Sequence, residues 1–230
     1  MGEKITAIIV AAGSGQRMCS DVKKQYMDIN GKPLVCYSIN AFMRSSVDEI
    51  VLVVPESDIE MVKTDIVEKY GFTKVKSVVS GGTTRTKSVQ KGLMAALDSY
   101  IVLVHDAARP MIEPELIDKV VDAVKEEDAA FLAVPVKNTI YYIDGDKASN
   151  SLDRNMLYAA QTPQGFKTEL LKRAYDEAEK EIVESAKTDD VTFVYNHTGV
   201  MAEVIMGDHK NTKVTTPEDA VLAKLLLQDK

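Results

Sequence analysis

Short runs of apolar, often β-branched residues recur along this chain at 5–10, 49–54, 75–79, 100–104 and 129–134, and stretches of helical periodicity separate them. A run that is apolar at nearly every position has no face to give to water. It reads as a strand buried on both sides, the habit of parallel sheets covered by helices. Between the runs, Pro33 opens a helix carrying Leu34, Tyr37, Ile39 and Phe42, and a second helix near 57–70 stops at Gly71. The segment 84–97 places Val89, Leu93 and Ala96 on one face. Pro114 stands at the first turn of a helix with Leu116, Ile117, Val120, Val121 and Val124. This alternation predicts an α/β fold with a doubly wound, mostly parallel sheet, which takes its ligands at the carboxyl ends of the strands.

The pattern breaks at about 136–156. Thr139-Ile140-Tyr141-Tyr142-Ile143, a turn at Asp144-Gly145-Asp146 and a polar return to Leu152 predict a β-hairpin arm projecting from the sheet. Exposed Tyr141, Tyr142 and Ile143 would leave an apolar patch on a monomer, and a second copy of the chain is the expected cover. Helices resume at 167–184, 189–196 (stopped near Gly199) and 217–227, with a last strand at 200–206. No repeat, low-complexity tract or linker interrupts the chain, so residues 1–230 read as one domain with an arm.

At 230 residues, 45% hydrophobic and 27% charged, the composition is that of an ordinary globular domain with a sizeable core. The net charge of −7 argues against nucleic acid or an anionic membrane as partner, while leaving room for an anionic small substrate in a locally basic pocket. Cys19 and Cys36 have neither metal-ligand nor disulfide-framework spacing. With no apolar stretch of membrane-spanning length and no leader before the first strand, a cytoplasmic location is expected.

The most chemically telling segment is Ala11-Ala12-Gly13-Ser14-Gly15-Gln16-Arg17-Met18, directly after the first strand and followed by Lys24. A glycine turn there lets backbone N–H groups approach a phosphate. It lacks the third glycine of a dinucleotide loop and the Gly-Lys-Ser/Thr of a P-loop. What it delivers is an Arg and a Lys, two fixed cations suited to a triphosphate whose charge grows at the transition state.

Other candidates lie at later strand ends. Gly81-Gly82-Thr83-Thr84-Arg85 precedes a helix with Ser88 in its first turns: the glycines allow close passage under a flat base, and Ser88 offers a hydroxyl to an exocyclic group. In Val104-His105-Asp106-Ala107-Ala108-Arg109-Pro110, Asp106 is placed to hold Mg²⁺ against phosphates. Arg109 either pairs with that carboxylate or reaches an anionic substrate. Thr139, Arg154 and Thr162 together supply a guanidinium and two hydroxyls for a monophosphate, and Thr188 and Lys213 add a hydroxyl and a cation. His105, His197 and His209 have no metal-ligand spacing, and no Ser-His-Asp or Cys-His set stands out.

Seven ordered motifs then carry a resemblance over nearly the whole chain: A-A-G-x-G-x-R-M with its downstream Lys-Gln, G-G-x-x-R-x-x-S-V, V-H-D-A-A-R-P, P-V-x-x-T, D-R-x-x-L, Q-T-P-Q and N-x-K-V-T-x-P-E-D. The chain resembles the bacterial 2-C-methyl-D-erythritol 4-phosphate cytidylyltransferases, Rossmann-like nucleotidyltransferases of isoprenoid synthesis. The resemblance implies transfer of CMP from CTP to methylerythritol phosphate with release of pyrophosphate. It implies that Ala11, Ala12, Gly13, Ser14, Gly15, Gly82, Thr83, Ser88, Ala107 and Lys213 contact the nucleotide, with Asp106 orienting Mg²⁺. Arg17 and Lys24 would stabilise the α-phosphoryl group. Thr139, Arg154, Thr162, Thr188 and Arg109 would hold the acceptor, Thr139 and Arg154 reaching in from the arm of a partner in a homodimer.

Against that pattern Lys23 stands where proline is usual, Asn138 where aspartate is usual and Tyr141 where lysine is usual. The last two fall on the arm and bear on the acceptor more than on CTP. A related branch uses ribitol 5-phosphate, which is the alternative acceptor. A non-catalytic nucleotide-binding regulator is the alternative of another class.

Overall fold

The computed structural model describes residues 3–13, 23–178 and 189–228. Strand β1 (Ile5–Val10) leads to a small hairpin of β2 (Asp28–Ile29) and β3 (Lys32–Pro33), then to α1 (Leu34–Met43) and β4 (Glu49–Val54). A 3-10 turn (Glu56–Asp58), α2 (Ile59–Val62) and a π-helical stretch (Lys63–Glu68) follow as one continuous run. It ends at Gly71, whose φ of +65° is left-handed backbone that glycine adopts without penalty. Next come β5 (Val75–Ser80), α3 (Arg85–Met94), β6 (Ile101–Asp106), α4 (Pro114–Glu126) and β7 (Ala129–Pro135). The arm is β8 (Tyr141–Asp144) and β9 (Lys147–Ser151). The chain returns through β10 (Tyr158–Lys167), α5 (Thr168–Glu177), α6 (Asp190–Thr198), β11 (Glu203–Met206) and α7 (Pro217–Leu226).

Among the described residues the main sheet has seven strands in the order β11-β7-β10-β6-β1-β4-β5. Neighbours pair in parallel except along β10, which runs antiparallel to both β6 and β7. The period-2 alternation of a strand explains why the central runs are apolar at nearly every position. Ala7 and Ile9 of β1, Ile50 and Leu52 of β4, and Ile101 and Leu103 of β6 enter one layer, with α1, α4 and the 59–67 helix. Ile8, Val51, Val53, Val102 and Val104 enter the other, with α3, α5 and α6. Each layer needs its own set of apolar side chains, so every position of these strands is filled.

The structure corrects three expectations. The ten-residue β10 has no counterpart in the apolar runs, because Gln161, Thr162, Pro163 and Gln164 interrupt it; the register shift between Ala160 and Gln164 absorbs the proline. The β2–β3 hairpin also went unread, although Asn30 (φ +50°) and Gly31 (φ +84°) form an Asn-Gly turn of the kind that joins strands tightly. The last strand begins at Glu203 rather than 200 and lies on the sheet edge. The arm is present, trimmed to start at Tyr141, and its residues are exposed, Tyr142 by 66%. Of the helix expected over 167–184, residues 168–177 are helical and 179–184 lie outside the described residues.

Candidate functional site

Because β1 sits between β4 and β6, connections leave it on both sides, and a crevice opens at the carboxyl ends of these strands. It is a cleft of about 680 Å³, walled by Val10 to Gly13 after β1, Gly82 to Arg85 after β5 and Asp106 to Ala108 after β6. Lys24, Gln25, Ser88, Lys213 and Thr215 complete it.

Two glycines let the loops meet. A Cβ on Gly81 would overlap Cβ of Ala12, and one on Gly82 would overlap Cβ of Lys87. Ser88 Oγ accepts from the Gly82 N–H at 3.0 Å and donates to the Thr84 carbonyl at 2.9 Å. Its one hydrogen is therefore used within the loop. The lone pair that remains suits a donor such as an exocyclic amino group. Thr84 caps α3 by accepting from the Lys87 N–H at 3.1 Å.

The charged centre is Asp106, at the end of β6 and only 7% exposed. Its Oδ1 accepts from Arg85 Nε at 3.0 Å and its Oδ2 from Lys213 Nζ at 2.7 Å. Burial alone would raise the carboxyl pKa, but the two cations outweigh it and hold Asp106 well below the usual carboxylate range. Arg85 also pairs through Nη2 with Asp190 at 2.8 Å, at the start of α6. Two carboxylates raise the Arg85 pKa against the lowering effect of its burial. For Asp190, fully buried, desolvation dominates and its pKa is raised. Gln164 secures the start of α6: its Oε1 accepts from the backbone of Asp190 and Val191, and its Nε2 donates to Asp189.

The cleft thus gathers ten expected residues: Ala11, Ala12, Gly13, Lys24, Gly82, Thr83, Ser88, Asp106, Ala107 and Lys213. Lys24 lines it, whereas the ammonium of its neighbour Lys23 sits on Asp58 at 2.6 and 2.7 Å. Ser14, Gly15, Arg17 and Thr188 lie outside the described residues.

Four expected acceptor residues are elsewhere. Arg109 turns its guanidinium to backbone carbonyls: Nη1 donates to that of Asn211 at 2.7 Å and Nη2 to that of Ala160 at 3.2 Å. Asn211 in turn donates to the Thr162 carbonyl, and the Val214 N–H to the Ala108 carbonyl. These bonds staple the 208–214 segment to the end of β6 and so bring Lys213 to Asp106. Thr162 is buried, accepting from the Asp106 N–H at 3.1 Å and bonded to His105 Nδ1 at 3.0 Å. Its hydroxyl holds the strand ends rather than lining the cleft. Thr139 and Arg154 are exposed on or beside the arm.

Arg85, Asp190 and Gln164 were not assigned from sequence. Arg85 lay inside a motif already singled out, and a cation opening a helix after a glycine loop was the available signal. Nothing local ties it to its partners Asp106 and Asp190, 21 and 105 positions away.

Among the described residues no three His, Cys, Asp or Glu side chains converge as a metal cage. Asp106 nevertheless fits magnesium, which commonly takes one or two carboxylates plus phosphate oxygens and water. Each carboxylate oxygen keeps acceptor capacity beyond its one cation.

The chain matches the 2-C-methyl-D-erythritol 4-phosphate cytidylyltransferase (IspD) family over residues 5–229. It is 41% identical to the protein of that name from Lachnoclostridium phytofermentans, covering 99% of this chain and 97% of the relative. Identity to the one from Alkaliphilus metalliredigens is 40%, over 100% and 95%. The crystal structure of 4-diphosphocytidyl-2C-methyl-D-erythritol synthase from Anaerococcus prevotii superimposes with a TM-score of 0.83 at 34% identity, covering 98% of this chain and 96% of that one. With the family model matching residues 5–229 and relatives about 40% identical over nearly their whole length, the chain belongs to the 2-C-methyl-D-erythritol 4-phosphate cytidylyltransferase family.

Proposed function

We propose that this enzyme transfers CMP from CTP to 2-C-methyl-D-erythritol 4-phosphate. The observation that carries the reading is the cluster of Lys213, Asp106 and Arg85 in a cleft that Ala11 to Gly13 and Lys24 also line. An ionised phosphate oxygen of the acceptor attacks the α-phosphorus of CTP in line. The new P–O bond forms as the bond to the β-phosphate bridging oxygen breaks, and pyrophosphate leaves. No protein nucleophile or proton donor is required, so the rate comes from positioning and charge stabilisation.

In this reading Ala11 to Gly15, Gly82, Thr83, Ser88 and Ala107 hold the nucleotide, and Lys24 with Arg17 meets the charge that builds on the α-phosphoryl oxygens. Lys213 stands between the nucleotide and the acceptor phosphate. Asp106 would hold Mg²⁺, which would supply positive charge against the phosphates. The acceptor lies toward Thr188 and toward Thr139 and Arg154 of a second copy's arm, in a homodimer that covers Tyr141, Tyr142 and Ile143. No helix among the described residues is long and apolar enough to cross a membrane.

The test is pyrophosphate release from CTP with Mg²⁺, methylerythritol phosphate and ribitol 5-phosphate being supplied separately. A higher kcat/KM for methylerythritol phosphate is expected. Preference for ribitol 5-phosphate would move the assignment to that acceptor, and CTP binding without turnover on either would make the chain a nucleotide-binding regulator. Lys24→Ala should lower kcat by about 10²–10³-fold, the usual cost of one preorganised donor to a developing oxyanion.

A further inference from the structure

Lys23 and Asp58 form an ion pair outside the cleft. Both carboxylate oxygens of Asp58 accept from Lys23 Nζ, at 2.6 and 2.7 Å, and Oδ1 also accepts from Ser57 Oγ at 2.8 Å. The Asp58 side chain is 9% exposed and that of Lys23 40%. Asp58 is firmly rooted. It closes the 3-10 turn after β4, its N–H donating to the Pro55 carbonyl at 2.9 Å, and β4 lies beside β1 in the sheet.

Lys23 is in turn the cap of the short 3-10 turn Lys24–Tyr26: the Tyr26 N–H donates to the Lys23 carbonyl at 2.9 Å and the Met27 N–H to that of Lys24 at 3.2 Å. The Tyr26 phenol is buried beside the same carboxylate. Residues 23 and 26 thus both turn toward Asp58, and between them Lys24 is left at the wall of the cleft. Lys23 has φ −56° and ψ 134°, an extended conformation that an unrestrained lysine leaves readily and a proline ring would hold.

We propose that the Lys23–Asp58 ion pair is a positioning device for Lys24, tying the segment that follows the phosphate loop to the carboxyl end of β4 so that the next residue meets the triphosphate. The inference rests on the proposed role of Lys24. Lys23 touches no reacting group; it acts through its neighbour, and a loose tether would displace Lys24 by an ångström or more. Misplacement on that scale costs on the order of ten- to a hundredfold in rate.

The experiment measures kcat and KM for CTP by pyrophosphate release with methylerythritol phosphate, alongside the melting temperature of each variant. Asp58→Asn should lower kcat about tenfold while KM for CTP changes much less. Lys23→Met carries the same expectation and serves should Asp58→Asn lose its fold. In a Lys24→Ala background Asp58→Asn should have no further effect, since a tether has nothing left to position; effects of a generally weakened fold would add instead. The double variant Lys23→Pro/Asp58→Asn, which replaces the ionic restraint by a ring, should recover most of the lost kcat. An unchanged kcat in both Asp58→Asn and Lys23→Met, full additivity with Lys24→Ala, or no rescue by proline would overturn the proposal. If Lys24→Ala itself kept its kcat, the reading of Lys24 would fall first and this inference with it.

Discussion

Lys213 Nζ lies 2.7 Å from Asp106 Oδ2, although 107 residues separate the two along the chain. Their meeting depends on the stapled 208–214 segment, whose Val214 N–H bonds to the Ala108 carbonyl just beyond β6. With Arg85 on the other carboxylate oxygen, Asp106 holds two cations in fixed positions before any phosphate arrives. Cations oriented in advance need little rearrangement as charge develops, which is the condition under which such groups accelerate a reaction most.

Replacing Asp106 by Asn should therefore harm both function and stability. Shape is retained, but Arg85 and Lys213 lose the carboxylate that orients them. We expect kcat/KM to fall on the order of a hundredfold and unfolding free energy to drop by roughly 3 kcal/mol, as when one partner of a buried pair is removed. Steady-state kinetics and urea titration read the two effects separately. An Asn variant with native kinetics would remove Asp106 from the site.

Arg85→Gln leaves Asp106 and Asp190 facing each other without the guanidinium between them. Asp190 is fully buried and loses the guanidinium that offsets its desolvation. The single variant should lose about 3–5 kcal/mol of stability. Adding Asp190→Asn should restore part of it, because the second change removes the stranded charge. If the two losses simply summed, the pair would not be coupled as the 2.8 Å separation implies.

His105 supplies a pH signature. It is fully buried against Phe42 and Thr162, and burial pushes its pKa down to about 3. An unfolded-chain histidine titrates near ~6.5. Below that pH the unfolded state takes up a proton that the native state refuses, so stability falls as the solution is acidified. The limiting slope is about 1.4 kcal/mol per pH unit between roughly pH 6.5 and the folded-state value. The contribution is complete above that window and constant there. Denaturant titrations across the range should show a shallower slope in His105→Asn; equal slopes would mean that another group carries the linkage.

The arm gives the test of assembly. Tyr142 is 66% exposed and Ile143 56%, on a two-stranded sheet too small to bury them itself. Tyr142→Asp/Ile143→Asp should shift the sedimentation coefficient from dimer to monomer and lower turnover if Thr139 and Arg154 serve the partner's cleft. A native enzyme that sediments as a monomer at micromolar concentration would exclude the arm as an interface.

Much of the architecture was legible in the order of residues, because burial on two faces calls for an apolar residue at nearly every position. The runs that became β1 and β4 were read to the residue, and helix ends at Pro114, Gly71 and Gly199 followed from backbone constraints that proline and glycine impose locally. The strand β10 was not, since its middle is polar. Gln161, Thr162 and Gln164 are buried there because their side chains satisfy backbone groups of segments far away in sequence. The same limit applied within the site. Lys24, Asp106 and Lys213, singled out from residue type and place, line the cleft, whereas the side chains of Arg109 and Thr162, expected toward the acceptor, bond to backbone groups of the frame.

By itself the sequence determined the apolar strands at the centre of the sheet, the helix limits set by Pro114, Gly71 and Gly199, and the kind of chemistry that cations beside a glycine turn can do, all of which depend on neighbours a few residues apart. Only the tertiary structure decided which charges meet. An ion pair is set by distance in space, and the separations that matter here, Lys23 to Asp58, Arg85 to Asp106 and Asp190, and Lys213 to Asp106, are closed by the sheet order and by the stapled 208–214 segment rather than by any local pattern.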